Sequence, residues 1–325
     1  MADVKKMATR EGYGRGLVAL GAAHEDVVVL DADLAGSTKT GMFAKAYPDR
    51  HFNCGIAEAD MMCVAAGFAA NGFVPFASSF AMFAAGRAFE QIRNSVAYPH
   101  LNVKIAATHA GITVGEDGAT HQCLEDIALM RVLPGMTVIS PADAVEAVAA
   151  LKAALEMTGP CYLRFGRYAV PVLHDPDTYR FEIGKGEVLR DGSDVTIVAN
   201  GILVSMALTA ADTLAAEGIS ARVINIHTVK PLDTELLCAA AAETGAVVTA
   251  EEHNIIGGLG SAVAETLAEN CPVPMVRVGV RDSFGRSGKV PELLALYGLT
   301  PEALCDAARR AVAAKKTGKT ERNGV

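Results

Sequence analysis

Continuous apolar runs of four or five residues alternate with longer helix-like segments along most of the chain. Residues 27–30 are a typical run, which suits a strand that is buried on both faces of a sheet, and residues 103–107 are predicted to form another buried strand. The segments between the runs, such as 8–23 and 142–157, have the length and composition of helices. Strands that alternate with helices in this way predict a parallel sheet covered on both faces.

The alternation occurs twice, which predicts an α/β fold with two doubly wound domains. We expect the first domain at residues 1–170 and a second, smaller domain at residues 190–315. Residues 171–189 contain prolines, aspartates and glycines without a clear period, so they are interpreted as a linker. Residues 316–325 carry much of the basic charge near the end of the chain and are interpreted as a flexible tail.

One stretch, residues 52–62, stands out from this pattern. A short strand ends at Gly55, Glu58 follows three residues later, and the helix that begins there is almost wholly apolar. A glutamate in a first helical turn can simply complement the helix dipole, which stabilises by about 0.3–1 kcal/mol. The alternative is that its carboxylate faces a ligand. A helix without a polar face also predicts contact with another subunit.

Composition narrows the class of protein. The chain has 325 residues, 51% of them hydrophobic, and a net charge of −8, which argues against nucleic-acid binding. No apolar run reaches the roughly 18 residues of a membrane span, so no membrane contact is predicted. The seven cysteines include no C-x-x-C pair and are expected to be reduced. Together with the lack of an apolar signal-peptide stretch, these features predict a cytoplasmic protein.

Side chains capable of chemistry follow several predicted strands, at the sheet edge where doubly wound folds bind ligands. In the first domain these side chains are Asp31, Asp33, Ser37, Glu58, Phe80, Phe83, Arg87, His109, Asp117, His121 and Arg164. The second domain offers Asn200, His227 and the run Glu251-Glu252-His253. There is no H-E-x-x-H motif, cysteine set or compact histidine pair, so no metal ligands are predicted. A G-x-S-x-G nucleophile motif is also absent.

Three stretches of the first domain form a recognisable set: Gly-Ile-Ala-Glu at 55–58, the Phe80/Phe83 turn, and Thr-His-Ala-Gly-Ile-Thr-Val-Gly-Glu-Asp-Gly-Ala-Thr-His-Gln at 108–122. With these stretches the first domain resembles the pyrimidine-binding domain of the transketolase family. The second domain is similar to the transketolase C-terminal domain. In this family a G-D-G…N motif grips the diphosphate of thiamine diphosphate and its metal, and the chain lacks it. The resemblance therefore implies the C-terminal subunit of a split transketolase, whose N-terminal partner carries that motif and holds Mg²⁺ or Ca²⁺.

The same resemblance assigns cofactor contacts. Glu58 matches the glutamate that hydrogen-bonds the aminopyrimidine ring, where a carboxyl group favours the tautomer that activates the cofactor. Phe80 and Phe83 match aromatic residues that pack around this ring. Asp33 matches an aspartate near the cofactor. Core packing is the alternative for the two phenylalanines, and turn formation is the alternative for Asp33.

Two matching histidines are implied to take part in catalysis. His109 and His121 match groups that move protons at the ketose carbonyl and hydroxyls. Asp117 matches a group that contacts a sugar hydroxyl, although an aspartate between glycines also suits loop capping.

Four further residues are implied to bind substrate. Arg10, Ser37 and Arg164 match groups that hold the terminal phosphate of the substrate, and a sulfonate would be held in the same way. Arg87 falls where deoxyxylulose-phosphate synthases carry an arginine, and a solvated charge on a helix is the alternative for it.

These matches imply a transferase of pentose phosphate metabolism that moves a two-carbon ketol unit from a ketose phosphate to an aldose. We expect a homodimer of this chain within a heterotetramer. Ala57 and Ala59 flank Glu58 where transketolases carry arginine and histidine, and Ala119 replaces a proline. A deoxyxylulose-phosphate-synthase-like subunit and a 2-oxo acid dehydrogenase beta-like subunit therefore stay open. A non-enzymatic, monomeric two-domain binder of small anions is the alternative outside the superfamily.

Overall fold

The structure, a computed structural model, describes residues 5–322, with side chains described as far as residue 317. Its strands are β1 (Lys6–Ala8), β2 (Val27–Asp31), β3 (His51–Asn53), β4 (Val74–Phe80), β5 (Lys104–Thr108), β6 (Thr137–Ile139), β7 (Cys161–Arg164), β8 (Ala169–Pro171), β9 (Glu187–Arg190), β10 (Val195–Ala199), β11 (Ala221–Asn225), β12 (Thr228–Lys230), β13 (Val247–Asn254) and β14 (Met275–Val280). The strands form two main sheets, which confirms the predicted α/β class.

Helices connect most of these strands. They are α1 (Thr9–Ala23), α2 (Ala35–Thr38), α3 (Thr40–Ala46), α4 (Glu58–Ala70), α5 (Phe89–Gln91), α6 (Asp126–Arg131), α7 (Ala144–Glu156), α8 (Leu203–Ala216), α9 (Thr234–Thr244), α10 (Leu259–Asn270), α11 (Val290–Leu296) and α12 (Pro301–Arg322). Two π-helical segments, Met82–Arg87 and Ile92–Ala97, flank α5. No helix in the described part of the chain is both long and apolar enough to cross a membrane.

The first sheet has the strand order β12-β6-β7-β5-β4-β2-β3, and all its neighbours are parallel except β12 and β6. Side chains alternate between its two faces. Val27 and Val29 share a core with Tyr13 of α1, whereas Val28 and Leu30 share a core with α4 and its neighbours. This alternation explains why the strand is a continuous apolar run, since helices cover both faces.

The second sheet has the order β14-β13-β10-β11-β9, with β9 antiparallel at its edge. Strand β12 follows β11 in the chain but pairs with β6 of the first sheet, Thr228 opposite Ile139. One buried apolar cluster also includes residues of both halves, such as Met61 and Leu237. The two domains are therefore joined by a shared sheet edge and a shared core.

The predicted linker and tail contain regular structure. Strand β8 pairs with β1, and β9 begins within the linker at Glu187. Strand β8 includes a proline and β9 has a charged residue at each end, so neither is the continuous apolar run on which the strand predictions rest. Helix α12 includes residues 316–322 of the predicted tail, and residues 323–325 lie outside the described part of the chain.

Candidate active site

The candidate site lies at the carboxyl ends of β2, β4 and β5, where the loops of a parallel sheet meet. Strand β3 also ends here, and Gly55 follows it with a φ of 69°, a conformation that favours glycine. The chain then enters α4, whose first residue is Glu58. The predicted strand–glycine–helix unit therefore delivers its carboxylate to this edge.

Glu58 is almost fully buried, with 1% of its side chain exposed. Ser79 Oγ donates a hydrogen bond to Oε1 at 3.3 Å, and Arg87 Nη1 donates to Oε2 at 2.7 Å. Arg87 is 52% exposed, and its guanidinium carbon lies 4.8 Å from the centroid of the Phe83 ring. Arg87, predicted to bind substrate, is thus placed beside two of the residues predicted to bind cofactor.

Four rings form a wall next to this carboxylate. Phe80 ends β4 and stacks on His109, with 3.8 Å between ring centroids, and on Phe83 at 5.7 Å. His121 meets Phe83 edge-on at 5.3 Å, and its Nδ1 lies 2.9 Å from Thr120 Oγ1. The structure therefore brings together both predicted aromatic residues and both predicted catalytic histidines.

His109 directly follows β5 in a left-handed conformation, with a φ of 56°. Arg10 Nη1 lies 3.0 Å from its Nε2, and Thr108 Oγ1 lies 2.8 Å from its Nδ1. Because a guanidinium can only donate, Nε2 accepts and the ring proton is on Nδ1. Burial, followed by the charges of Arg10 and Arg167, lowers the pKa of His109 to about 3. The ring of His109 is therefore neutral, and its Nε2 is paired with the long, flexible side chain of Arg10.

Arg10 connects this histidine to the loop after β2. Its Nη1 also donates to the carbonyl oxygen of Ser37 at 2.9 Å, so the contact uses the backbone of Ser37. Its Nε is buried without a hydrogen-bond partner. Burial lowers the pKa of Arg10. A guanidinium with an unused donor is suited to an oxyanion.

The same loop carries the predicted residue Asp33 on its exposed side. Asp33 has a φ of 62°, and both its backbone nitrogen and its carboxylate bond to the side chain of Asn53, at 3.1 and 3.2 Å. Asp31, by contrast, is buried and accepts from the hydroxyls of Thr38 and Thr40 at 2.7 and 2.8 Å. Asp31 therefore holds the loop together, while Asp33 is available at the surface.

Arg167 is a further cation at this edge that no sequence motif singled out. Its Nη1 donates to the carbonyl oxygen of Val114 at 2.5 Å and lies 3.4 Å from Asp117 Oδ2. Its charge lowers the pKa of both Arg10 and His109, which places it near them. The signal available in the sequence was its position three residues after β7.

Arg164 does not join this group, in contrast to its predicted contact with the substrate phosphate. Its side chain is 5% exposed, and its Nε donates to the fully buried Asp126 at 2.8 Å. Its Nη2 donates to the carbonyl oxygen of Glu252 at 2.9 Å. Burial disfavours both charges, but the pair keeps the pKa of Asp126 lowered and that of Arg164 raised. The guanidinium is engaged inside the protein, so the placement supports a structural role.

Comparison of the sequence with models of known protein families identifies the family of this chain. A model of the transketolase pyrimidine-binding domain matches residues 5–172, and a model of the transketolase C-terminal domain matches residues 184–304. The chain therefore belongs to the transketolase family, as the sequence motifs indicated.

Relatives of similar length define its place within that family. A putative transketolase C-terminal section from Methanocaldococcus jannaschii is 52% identical over 297 residues, covering 91% of this chain and 93% of that protein. A 6-deoxy-6-sulfo-D-fructose transketolase subunit from Clostridium sp. (strain MSTE9) is 48% identical over 282 residues, covering 87% of each. A solved structure described as a split gene transketolase, an inactive β4 tetramer, is 56% identical, with a TM-score of 0.88 and coverage of 96% and 100%. The chain corresponds to the C-terminal subunit of a split transketolase.

Proposed function

We propose that this chain supplies the pyrimidine-binding half of a thiamine-diphosphate-dependent active site. An N-terminal subunit with a G-D-G…N motif supplies the diphosphate-binding half and its Mg²⁺ or Ca²⁺. The observation that carries the proposal is the buried carboxylate of Glu58 next to the partly exposed ring of Phe83. The matches at residues 5–172 and 184–304 support the proposed domain limits of 1–170 and 190–315.

The contacts of Arg87 indicate that Glu58 and Phe83 can accommodate the pyrimidine ring of the cofactor. Its flat guanidinium donates to Glu58 and at the same time lies over the Phe83 ring. An aminopyrimidine, which is also flat and nitrogen-rich, requires the same two contacts: a carboxyl group at a ring nitrogen and an aromatic neighbour. Because half of the Arg87 side chain is exposed, it can leave without unpacking the core. The residues present therefore fit the pyrimidine half of the cofactor.

When bound, thiamine diphosphate supplies the electron sink that lets a carbon–carbon bond break beside a ketose carbonyl. Glu58 would hold its proton against the pyrimidine ring nitrogen, and Phe80 and Phe83 would exclude water from that ring. His121 and His109 would exchange protons with substrate oxygens. Asp117 would orient a substrate hydroxyl, and Asp33 would lie beside the cofactor.

The two arginines near His109 determine the class of substrate that we propose. Arg10 and Arg167 offer guanidinium donors suited to a tetrahedral oxyanion. An anion that draws Arg10 away would also free Nε2 of His109, so substrate binding would expose the base where it is needed. We propose transfer of a two-carbon ketol unit from an anionic ketose to an aldose. The anion is a phosphate or, as the name of the Clostridium relative indicates for that protein, a sulfonate.

The surface around α4 supports the proposed homodimer within a heterotetramer. Ile56 is 77% exposed, Phe73 39%, and Phe52 and Val64 each 37%. Phe68 links Phe52 and Phe73 through ring contacts at 4.9 and 5.6 Å, so part of this patch is contiguous. Apolar patches of this kind mark interfaces. We propose that a second copy of this chain covers it, in a cytoplasmic enzyme.

The experiment is a reconstitution. The purified chain is assayed for ketol transfer alone and after addition of an N-terminal subunit, with and without thiamine diphosphate and Mg²⁺. A ketose phosphate and a 6-deoxy-6-sulfo ketose serve as alternative donors. We expect transfer only from the complete mixture. Activity of the chain alone would contradict the divided site.

The same reconstitution separates the alternatives within the superfamily. A pair that condenses pyruvate with an aldose phosphate, but does not transfer a ketol unit, would identify a deoxyxylulose-phosphate-synthase-like enzyme. A pair that is active only with a lipoyl carrier would identify a 2-oxo acid dehydrogenase. A chain that stays monomeric and binds only small anions would be the non-enzymatic alternative.

A further inference from the structure

A second cluster of ionisable side chains lies where the two domains meet, outside the candidate active site. Glu146 lies on α7, His174 lies between β8 and β9, and Glu187 begins β9. One potential ligand atom from each of the three lies within 4.8 Å of the other two. The residues are far apart in the sequence, so no compact metal-binding motif marked them.

The imidazole of His174 is oriented as in many metal sites. Its Nδ1 lies 3.0 Å from Oδ2 of Asp143, which also accepts the backbone N–H groups of Leu173 and His174. Its Nε2 points at Glu187 Oε2, 2.9 Å away. A histidine that ligates a metal through one nitrogen usually donates its other N–H to a carboxylate. Asp143 would supply that support here.

Burial disfavours the charged form of His174, but its hydrogen bonds to Asp143 and Glu187 raise its pKa to about 10, so one imidazolium balances only part of the negative charge of this cluster. Three carboxyl groups, those of Asp143, Glu146 and Glu187, surround the single imidazole of His174. Within residues 5–317, no lysine or arginine side chain forms an ion pair with any of the three. Asp143 and Glu146 are fully buried, and buried charge is costly unless it is compensated. A divalent cation would provide the compensation.

Two oxygen atoms have unused capacity to accept. Glu146 takes hydrogen bonds from the N–H of Ala142, the hydroxyl of Tyr179 and Nδ2 of Asn225, which is three of about four acceptor positions of a carboxylate. Oδ1 of Asn225 is buried and has no hydrogen-bond partner. This unpaired amide oxygen belongs to a fully buried residue in direct contact with Glu146.

The cluster is also accessible to an ion. His174 and Glu187 line a cavity of about 590 Å³ between the linker and the second domain. The side chain of Glu187 is 38% exposed. The cavity can therefore admit a hydrated cation and leave water as an additional ligand.

We propose that Glu146, His174 and Glu187 bind one Zn²⁺ ion that links the two domains. One imidazole nitrogen and two carboxylates are ligands that zinc accepts, at distances of about 2.0–2.2 Å. Neighbouring ligand atoms of such a site lie about 3.0–3.5 Å apart, close to the present 2.9 Å between His174 and Glu187. The ion would connect α7 of the first domain, the linker and β9 of the second domain.

The test uses the full chain, stripped with EDTA and dialysed into metal-free buffer. It is titrated with ZnCl₂ by calorimetry, and its melting temperature is measured with and without ZnCl₂. We expect one site per chain and a rise in Tm on zinc addition. Glu187→Gln and His174→Gln should each weaken zinc binding roughly tenfold or more. Glu187 is partly exposed, so its variant keeps the test decisive even if the His174 variant fails to fold.

His24→Gln is the matched control, because His24 is an exposed histidine that does not belong to the cluster, and the zinc affinity of this variant should equal that of the wild type. The chain has seven free cysteines, which could also bind zinc. Co²⁺ substitution separates the two cases, since thiolate ligands give a strong near-ultraviolet charge-transfer band and the proposed ligands do not. A wild-type chain without a stoichiometric site, zinc binding unaffected by Glu187→Gln, or a thiolate band would each overturn the proposal.

Discussion

The two sheets of this protein present similar side chains at their carboxyl ends but use them differently. The first sheet places Glu58 and His109 at an edge that includes the half-exposed Arg87. The second sheet places Glu251-Glu252-His253 at the end of β13, and all three are buried. Glu251 accepts the backbone N–H groups of Leu259 and Gly260 at the start of α10, and burial raises its pKa to about 7.

The two histidines make the contrast sharpest. Burial lowers the pKa of His253 to about 4, much as it lowers that of His109 to about 3. His253 directs Nδ1 at the carbonyl of Asn254, and its Nε2 accepts from the N–H of Ala128, so both nitrogens have backbone partners. His109 instead pairs its Nε2 with the side chain of Arg10. A perturbed histidine is thus a candidate for chemistry when its partner can move, and a structural brace when its partner is backbone.

The largest effect is expected from Arg164, which follows a strand of the first sheet and bonds both to Asp126 and to the backbone of Glu252 in the second sheet. Arg164→Met leaves Asp126 buried without its cation, which should lower the free energy of unfolding by about 3–5 kcal/mol. The measurement is urea unfolding of the chain at a fixed protein concentration, since oligomerisation affects apparent stability. Arg167→Met is the control and should change stability by less than about 0.5 kcal/mol. Equal effects would show that Arg164 is not a buried brace.

Next in size is the loss of the carboxylate at the open edge. Glu58→Gln in the complex reconstituted with the N-terminal subunit should reduce turnover by about 100-fold or more, because the proton-holding group is lost. Its stability should stay near that of the wild type. Glu251→Gln should do the reverse, with lower stability and nearly normal turnover of the folded fraction. Undiminished turnover of Glu58→Gln would show that Glu58 is not the carboxyl group that acts on the pyrimidine ring.

A pH experiment tests the buried edge. His253 has a folded-state pKa of about 4 and an unfolded value of 6.5, so its contribution to stability is present above pH 6.5. As the pH falls from 7 to 5, the unfolded chain takes up the proton first, and this group should cost about 2 kcal/mol of stability. His253→Gln should flatten the curve by that amount, whereas His24→Gln should leave it unchanged. A His253→Gln curve with the full wild-type slope between pH 7 and pH 5 would show that His253 is not held neutral.

The smallest effect is expected from Arg167, the cation at the candidate site that was found only in the structure. Arg167→Met in the reconstituted enzyme should raise KM for the anionic ketose about tenfold, the size of one charge-assisted contact, with little change in kcat. Arg310→Met, an exposed arginine of the last helix, is the matched control and should leave KM unchanged. An unaltered KM for Arg167→Met would place the anion elsewhere.

Much of the fold could be predicted because many buried strands contain an apolar run, as β2 does, and are covered by helices on both faces. Strand β12 could not, since three residues carry no period and its pairing with β6 is a contact between domains. Contacts between distant segments also decide the different roles of Arg164 and Arg167. Both follow a buried strand, and only the packing of Asp126 and Glu252 against Arg164 shows which guanidinium is inside.

The sequence by itself determined the family, the α/β class and the set of candidate residues around Glu58, because these depend on local periodicity and on short motifs. Tertiary structure decided the contacts of those residues. It paired Arg87 with Glu58, paired Arg10 with His109, buried Arg164, and gathered Glu146, His174 and Glu187 from distant segments. Hydrogen bonds and charge interactions act over a few ångströms, so they depend on distances between residues that only the folded chain brings together.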